Sequence, residues 1–295
     1  MRERDTSAIS AIATMLAAAG DPVCAIVRSD PREQLAVTLE RPGGAEIDGI
    51  VQTVTALDGA VDVLWVTTKT TQLRDALRSV ASLQPRAVVP LLNGVDHIAV
   101  LRAMFGHDAV VPATISVEAE KIGVGRFRQS SPFVNLVLAR AGSTTLARTV
   151  SLLTELGVDV RYVDDEQTLL WAKLSFLAPF ALATSATGEP LGFVRDHPEW
   201  RARLESGIHE VAAVARACGA SVDAHSALEF IERAKPGMRS SMLKDIEAGR
   251  EPELDAIGGA VLRAAQVHGV EVPAIRDLID RTRARIASRG TAPNS

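Results

Sequence analysis

Residues 61–94 read VDVLWVTTKTTQLRDALRSVASLQPRAVVPLLNG. Val61–Val66 and Ala87–Leu92 are short, continuous apolar runs rich in β-branched residues, the pattern of strands covered on both faces. A helix is predicted between them, over residues 71–83. Strand, helix and strand in this order make the crossover unit of a parallel sheet. Working outward, Pro22–Val27 (PVCAIV) reads as another strand. An alanine-rich helix, Ser7–Ala19, precedes it and stops at Gly20. A helix over 95–104 follows Asn93. Residues 110–140 read as shorter strands turning at Gly123, Gly125 and Pro132, then 143–156 as a helix and 158–163 (VDVRYV) as a last strand. The first part of the chain is therefore expected to be a doubly wound α/β domain with a mixed edge.

From about Asp164 the strand signals stop. Helices are predicted over 167–185, 197–218, 224–233, 251–268 and 275–287, so the second part is expected to be all-α. The expected domains are 1–163 and 164–295, and 295 residues suit two domains. Hydrophobic residues make up 47% and charged residues 23%, which excludes an intrinsically disordered chain. With 32 basic against 36 acidic residues there is no surplus to neutralise phosphates, so no nucleic-acid partner is expected. No long apolar run is uninterrupted, so no membrane span is expected. The acidic and basic residues of Met1–Asp5 do not resemble a secretory leader. Cys24 and Cys218 are too few for a disulfide framework or zinc site, and the six histidines lack metal-ligand spacing. The expectation is a cytoplasmic protein without a metal. An alanine-rich helical second domain allows a homodimer.

Ligands of open α/β sheets bind beyond the carboxyl ends of the strands. Arg28 stands at such an end after PVCAIV, Lys69 after VDVLWVTT, and Asn93-Gly94 after AVVPLL. An arginine at the first of these accommodates a 2′-phosphate, where an acid would bind the free ribose hydroxyl. Each also has a plain reading, as a solvated strand end or an Asn-Gly turn. In the second part, Lys173 is the only charge in Trp171–Ala183 (WAKLSFLAPFALA). A lysine there snorkels to water, its commoner fate, or sits in a cleft where desolvation lowers its pKa towards general-acid work. Finally, Ser240–Asp255 reads SSMLKDIEAGREPELD. Two serines precede a helix start, where hydroxyl and N–H groups hold carboxylates. Gly249 marks a helix end, Pro252 fits the first turn of the next helix, and Glu253 would lie in that turn. Capping and a dipole-favoured acid explain the same pattern.

At these residues the chain resembles the ketopantoate reductase (2-dehydropantoate 2-reductase) family, from about residue 7 to 285. SSMLKDIEAGREPELD, with its serine and the glutamate twelve residues later, is close to the family signature. WAKLSF, LLNGV and VTTKTTQ follow in the family's order and spacing. The resemblance implies a Rossmann-like NADP(H)-binding domain and a helical catalytic domain. It implies reduction of a 2-oxo acid to a 2-hydroxy acid, ketopantoate to pantoate in pantothenate biosynthesis being the type reaction. Lys173 matches the general acid and Ser241 the ligand of the substrate carboxylate. Glu253 matches the acid that holds substrate and cofactor in register. Asn93 and Lys69 match residues at the nicotinamide end, and Arg28 the residue that meets the 2′-phosphate.

The chain also departs from the family. Ser7-Ala8-Ile9-Ser10 stands where Gly-Ala-Ile-Gly belongs, which places Ser7 and Ser10 at the pyrophosphate. Only Met1–Thr6 precede them, and they read as no strand. The expectation is a chain begun downstream of its first strand, or an altered loop. Leu177, Ala181 and Gly258 replace family asparagines that bond the substrate, which suggests a less polar 2-oxo acid. These departures also leave room for a catalytically impaired relative that binds a small molecule or regulates.

Overall fold

The computed structural model describes residues 7–290, with side chains for 10–289. Contacts divide it into two units. One holds the described residues up to Leu92 together with His97–Asp164; the other joins Asn93–Asp96 to Asp165 onward.

The first unit is Rossmann-like α/β. Helix α1 (Ser7–Ala18) is followed by strand β1 (Cys24–Ile26), then β2 (Leu35–Glu40), β3 (Glu46–Val54) and β4 (Gly59–Val66). A 3-10 turn (Thr70–Gln72), α2 (Leu73–Arg78), β5 (Leu83–Pro90) and α3 (His97–Phe105) come next. Strands β6 (Ala113–Ser116), β7 (Ala119–Gly123), β8 (Arg126–Gln129) and β9 (Asn135–Ala139) lead to α4 (Ala147–Glu155) and β10 (Asp159–Val163). One sheet has the order β1-β3-β2-β8-β7, a second β10-β9-β6, and a third β4-β5. The β4–β5 and β9–β10 pairs are parallel, as the crossover pattern requires, and Val88 bridges to Val110.

Helix α1 covers the five-stranded sheet, with Ala11, Ile12, Met15 and Leu16 buried. Its closest approach is at Gly49 of β3, where a Cβ would stand 2.9 Å from that of Ala17. Any larger residue there would push the helix off the sheet.

The β2–β3 hairpin, turning at Arg41-Pro42-Gly43-Gly44 between alternating runs, is an element outside the sequence expectations. Two of those expectations are corrected. The helix predicted over 71–83 is shorter: α2 ends at Arg78, where the chain tightens into three-residue turns (Ser79 N–H to the Ala76 carbonyl, Val80 N–H to that of Leu77), and β5 begins at Leu83. Strand β4 is not covered on both faces: Val63, Leu64 and Trp65 are half-buried. Among the described residues β4 pairs only with β5, and no ladder joins it to β1. The expected loss of the first strand falls on residues 1–6, outside the described residues.

The second unit is all-helical: α5 (Glu166–Thr187), α6 (Leu191–Asp196), α7 (Pro198–Ala217), α8 (Ala224–Arg233), α9 (Ser241–Glu247), a π turn (Asp255–Gly259), α10 (Ala260–His268) and α11 (Pro273–Gly290). Asp165 caps α5 by accepting from the Gln167 and Thr168 amides, and Gly188 ends it in the left-handed region at φ 79°. By length and composition α5 would pass for a membrane span, but 72% of its apolar window is buried inside the protein. Helices α7, α8, α9 and α11 pack around it. The core includes Leu174, Leu182, Leu204, Ile208 and Ile275. Residues 251–253 are not regular helix, which corrects the helix predicted from 251. Pro252 precedes the helical backbone, and Glu253 stands one residue before its start at Leu254.

Candidate active site

Helix α5 carries Lys173 one-third of the way along a buried element. The residue is half-buried, and the loss of water drives its ammonium down from an ordinary 10.5 to about 8. The Glu253 carboxylate opposes that shift, favouring the charged form. Partial burial beside Glu253 sets Lys173 apart from a fully solvated surface lysine. Glu253 is buried, and its Oε2 accepts from Asn93 Nδ2 at 2.9 Å. Residues 160 positions apart thus share one hydrogen bond. Lys173, Glu253 and Asn93 form one electrostatic group.

The turn at Asn93 is held by its neighbours. Gly94 adopts φ 84°, and a Cβ there would stand 2.2 Å from the Ala256 carbonyl oxygen. That contact is with backbone and cannot be relieved by a rotamer change. Val95 packs against the helical core. The helix predicted from residue 95 begins only at His97 because these residues are committed to the turn. Gly94→Ala is expected to lower the Tm by about 10 °C or more, since it combines a backbone clash with a left-handed conformation. Thermal melting checks this; a change within about 2 °C would contradict the packing.

The two serines have different tasks. Ser240 is the buried cap of α9: its Oγ accepts from the Leu243 amide at 3.1 Å and lies 2.9 Å from Thr184 Oγ1. Ser241 is the first helical residue and is exposed. The local pattern, two serines ahead of the helix, does not separate these roles; α9 begins between them. Beyond them, Asp245 is buried and its Oδ1 accepts from Arg250 Nε at 2.8 Å, which ties the end of α9 to the loop leading to Glu253.

Leu177 is half-buried against the helical core and Ala181 is buried. At Gly258 a Cβ would stand 2.9 Å from Ile279 Cδ1 and Cγ1, so this glycine is set by packing.

In the first unit, Arg28 is exposed beyond β1 and donates from Nη2 to Gln72 Oε1 at 3.1 Å. Gln72 closes the 3-10 turn that Lys69 opens. The structure therefore brings Arg28 to the Lys69 turn, beyond the ends of β1 and β4. The partner of Arg28 is a neutral amide, which leaves its charge available to an anion. Ser10 lies in the first turns of α1, half-buried. The side chain of Ser7 lies outside the described residues.

A Rossmann-like unit with two cations beyond its strand ends, followed by a helical unit with a lysine of lowered pKa, is the build of a two-part oxidoreductase. The model of the family "Ketopantoate reductase PanE/ApbA" matches residues 9–141, and "Ketopantoate reductase PanE/ApbA C terminal" matches 165–285. The 2-dehydropantoate 2-reductase of Caulobacter vibrioides is 30% identical over 273 residues, covering 89% of this chain and 90% of that one. That of Mycobacterium tuberculosis is 31% identical over 221 residues, 73% of each chain. A PanE/ApbA family ketopantoate reductase from Ralstonia eutropha matches with a TM-score of 0.82 and 25% identity, covering 95% of both chains. D-mandelate dehydrogenase, solved with NADH and anilino(oxo)acetate, shares the fold at a TM-score of 0.83 and 19% identity over 96% of each chain. The chain belongs to the ketopantoate reductase family of oxidoreductases.

Proposed function

We propose that this protein reduces a 2-oxo acid to the corresponding 2-hydroxy acid with NADPH, ketopantoate to pantoate being the reaction for which its relatives are named. The observation that carries this reading is Lys173, lowered to about 8 beside Glu253, with Asn93 bonded to that carboxylate. When bound, the reduced nicotinamide supplies the hydride. Lys173 supplies the proton: charged at neutral pH and only mildly basic, it gives one to the keto oxygen as the carbonyl carbon is reduced. Glu253 keeps the ammonium charged until then and orients the Asn93 amide. Ser241 takes the substrate carboxylate. Arg28 meets the 2′-phosphate, Lys69 and Asn93 the nicotinamide end, and Ser7 and Ser10, in the first turn of α1, the pyrophosphate. The hydrocarbon of the half-buried Leu177, one turn beyond Lys173, favours a 2-oxo acid with few side-chain hydroxyls, since strong discrimination for a hydroxyl needs a matched polar partner.

The cofactor assignment is tested by titrating the protein with NADPH, and with NADH as control. Micromolar, NADPH-selective binding is expected. Arg28→Ala is expected to weaken NADPH by about tenfold, the value of a charge-assisted contact, and NADH little. Equal losses for both would remove Arg28 from the 2′-phosphate.

Two further expectations belong here. The Staphylococcus aureus ketopantoate reductase is described as dimeric. A homodimer and a cytoplasmic location are proposed for this protein, and sedimentation checks the first.

A further inference from the structure

All four residues of Asn93–Asp96 are used on the helical unit. Asn93 donates to Glu253, Gly94 abuts the Ala256 carbonyl and Val95 enters the core. Asp96 completes the set: its Oδ2 accepts from Arg263 Nε at 3.0 Å and Nη2 at 2.7 Å. The same guanidinium donates from Nη1 to Asp255 Oδ1 at 2.8 Å and from Nη2 to the Asp255 carbonyl at 3.0 Å. Arg263 therefore joins the end of the 93–96 segment to the first residue of the π turn, two residues past Glu253.

The three side chains are substantially exposed, 48% for Arg263, 47% for Asp96 and 82% for Asp255. Solvent screens such pairs, so the network adds little to stability. Its effect is geometric. A planar fork making four bonds to two residues fixes an orientation as well as a distance, which a lysine cannot do. The two strands of chain it joins are those that carry Asn93 and Glu253.

We infer that Arg263, acting with Asp96, is a positioning residue for the reaction: it holds the 93–96 segment on the π turn and so sets the Asn93 amide against the Glu253 carboxylate. This inference rests on the reading of Asn93 and Glu253 given above. A plain helix-stabilising role for Arg263 would act independently of Asn93, and a double-mutant cycle separates the two.

The cycle compares the full-length protein with Arg263→Met, Asn93→Ala and the double variant, each assayed for NADPH-dependent reduction and for Tm. Asp96→Asn serves as an independent way of breaking the same contact. Arg263→Met and Asp96→Asn are each expected to lower kcat/KM by about fivefold with little change in Tm. Arg263→Lys is expected to recover only part of that loss. In the Asn93→Ala background the effect of Arg263→Met should shrink to less than about twofold. Equal losses in both backgrounds, or no loss in either single variant, overturn the inference while leaving the proposed reaction standing. An Asn93→Ala variant as active as the parent overturns both the inference and the role of Asn93. A parent protein that reduces no 2-oxo acid overturns the proposed function itself.

Discussion

Replacing Lys173 with alanine is expected to lower kcat by about 10²–10⁴, the range for loss of a general acid. The expectation follows from what the lysine costs the fold. Its ammonium is held down to about 8 from 10.5 by loss of water, so the charged form is disfavoured where it stands. A residue kept only for packing would be better served by a hydrocarbon. Lys173→Met, which keeps the length and removes the charge, should therefore match the alanine variant in rate, while its Tm reports separately what the buried Glu253 carboxylate loses with its counter-charge. The sign of the pH dependence agrees. The folded pKa lies below the unfolded value, so the native protein loses this proton first. The cost is present in full below about pH 8 and is relieved as the pH rises from about 8 to 10.5. A Lys173 variant with parental kcat would remove the lysine from the chemistry, whatever its stability.

Glu253→Gln is expected to move the alkaline limb of the kcat/KM profile to lower pH. In the proposed reaction Lys173 acts in its protonated form, so kcat/KM is expected to fall as the pH passes about 8. The carboxylate of Glu253 raises that pKa against desolvation. Glutamine keeps the size and the acceptor for Asn93 but removes the charge, and Lys173 then loses its proton earlier. On the alkaline side each unit of displacement costs a factor of ten in protonated acid. For a displacement of about one unit, the loss at pH 8 is expected to be roughly five- to tenfold. Rates measured across the pH range for parent and variant check both parts. A limb that stays in place would mean that Glu253 does not set the charge of Lys173. A limb displaced upward would reverse the sign of the account.

Much of this was legible from local chemistry. Lys173 stands out because no other charge interrupts Trp171–Ala183, and its depressed pKa follows from that surrounding. The helix over 224–233 is placed by Asp223, whose side chain caps it, and by its amphipathic pattern. What escaped local reading depends on distant partners. Asp96 and Arg263 are 167 positions apart, and nothing in either neighbourhood pairs them. Ser240 and Ser241 are adjacent identical residues whose fates, buried cap and exposed helix start, depend on where Thr184 lies. Glu253 stands just before a helical start at Leu254 that runs at once into a π turn, a backbone form that apolar periodicity does not signal. The β2–β3 hairpin is a different case: its turn signal was present at Arg41–Gly44 and it needed no distant information.

The reduction of a 2-oxo acid with NADPH is the centre of this account. The most direct test is to mix the purified protein with NADPH and, in turn, ketopantoate and 2-oxo acids with hydrocarbon side chains. Cofactor oxidation is followed by absorbance and the product identified by mass spectrometry. Stoichiometric conversion of NADPH and at least one of these acids to NADP⁺ and the 2-hydroxy acid is expected, abolished by Lys173→Ala. A folded protein that binds NADPH but oxidises it with none of them, or one whose rate is indifferent to Lys173, would contradict it.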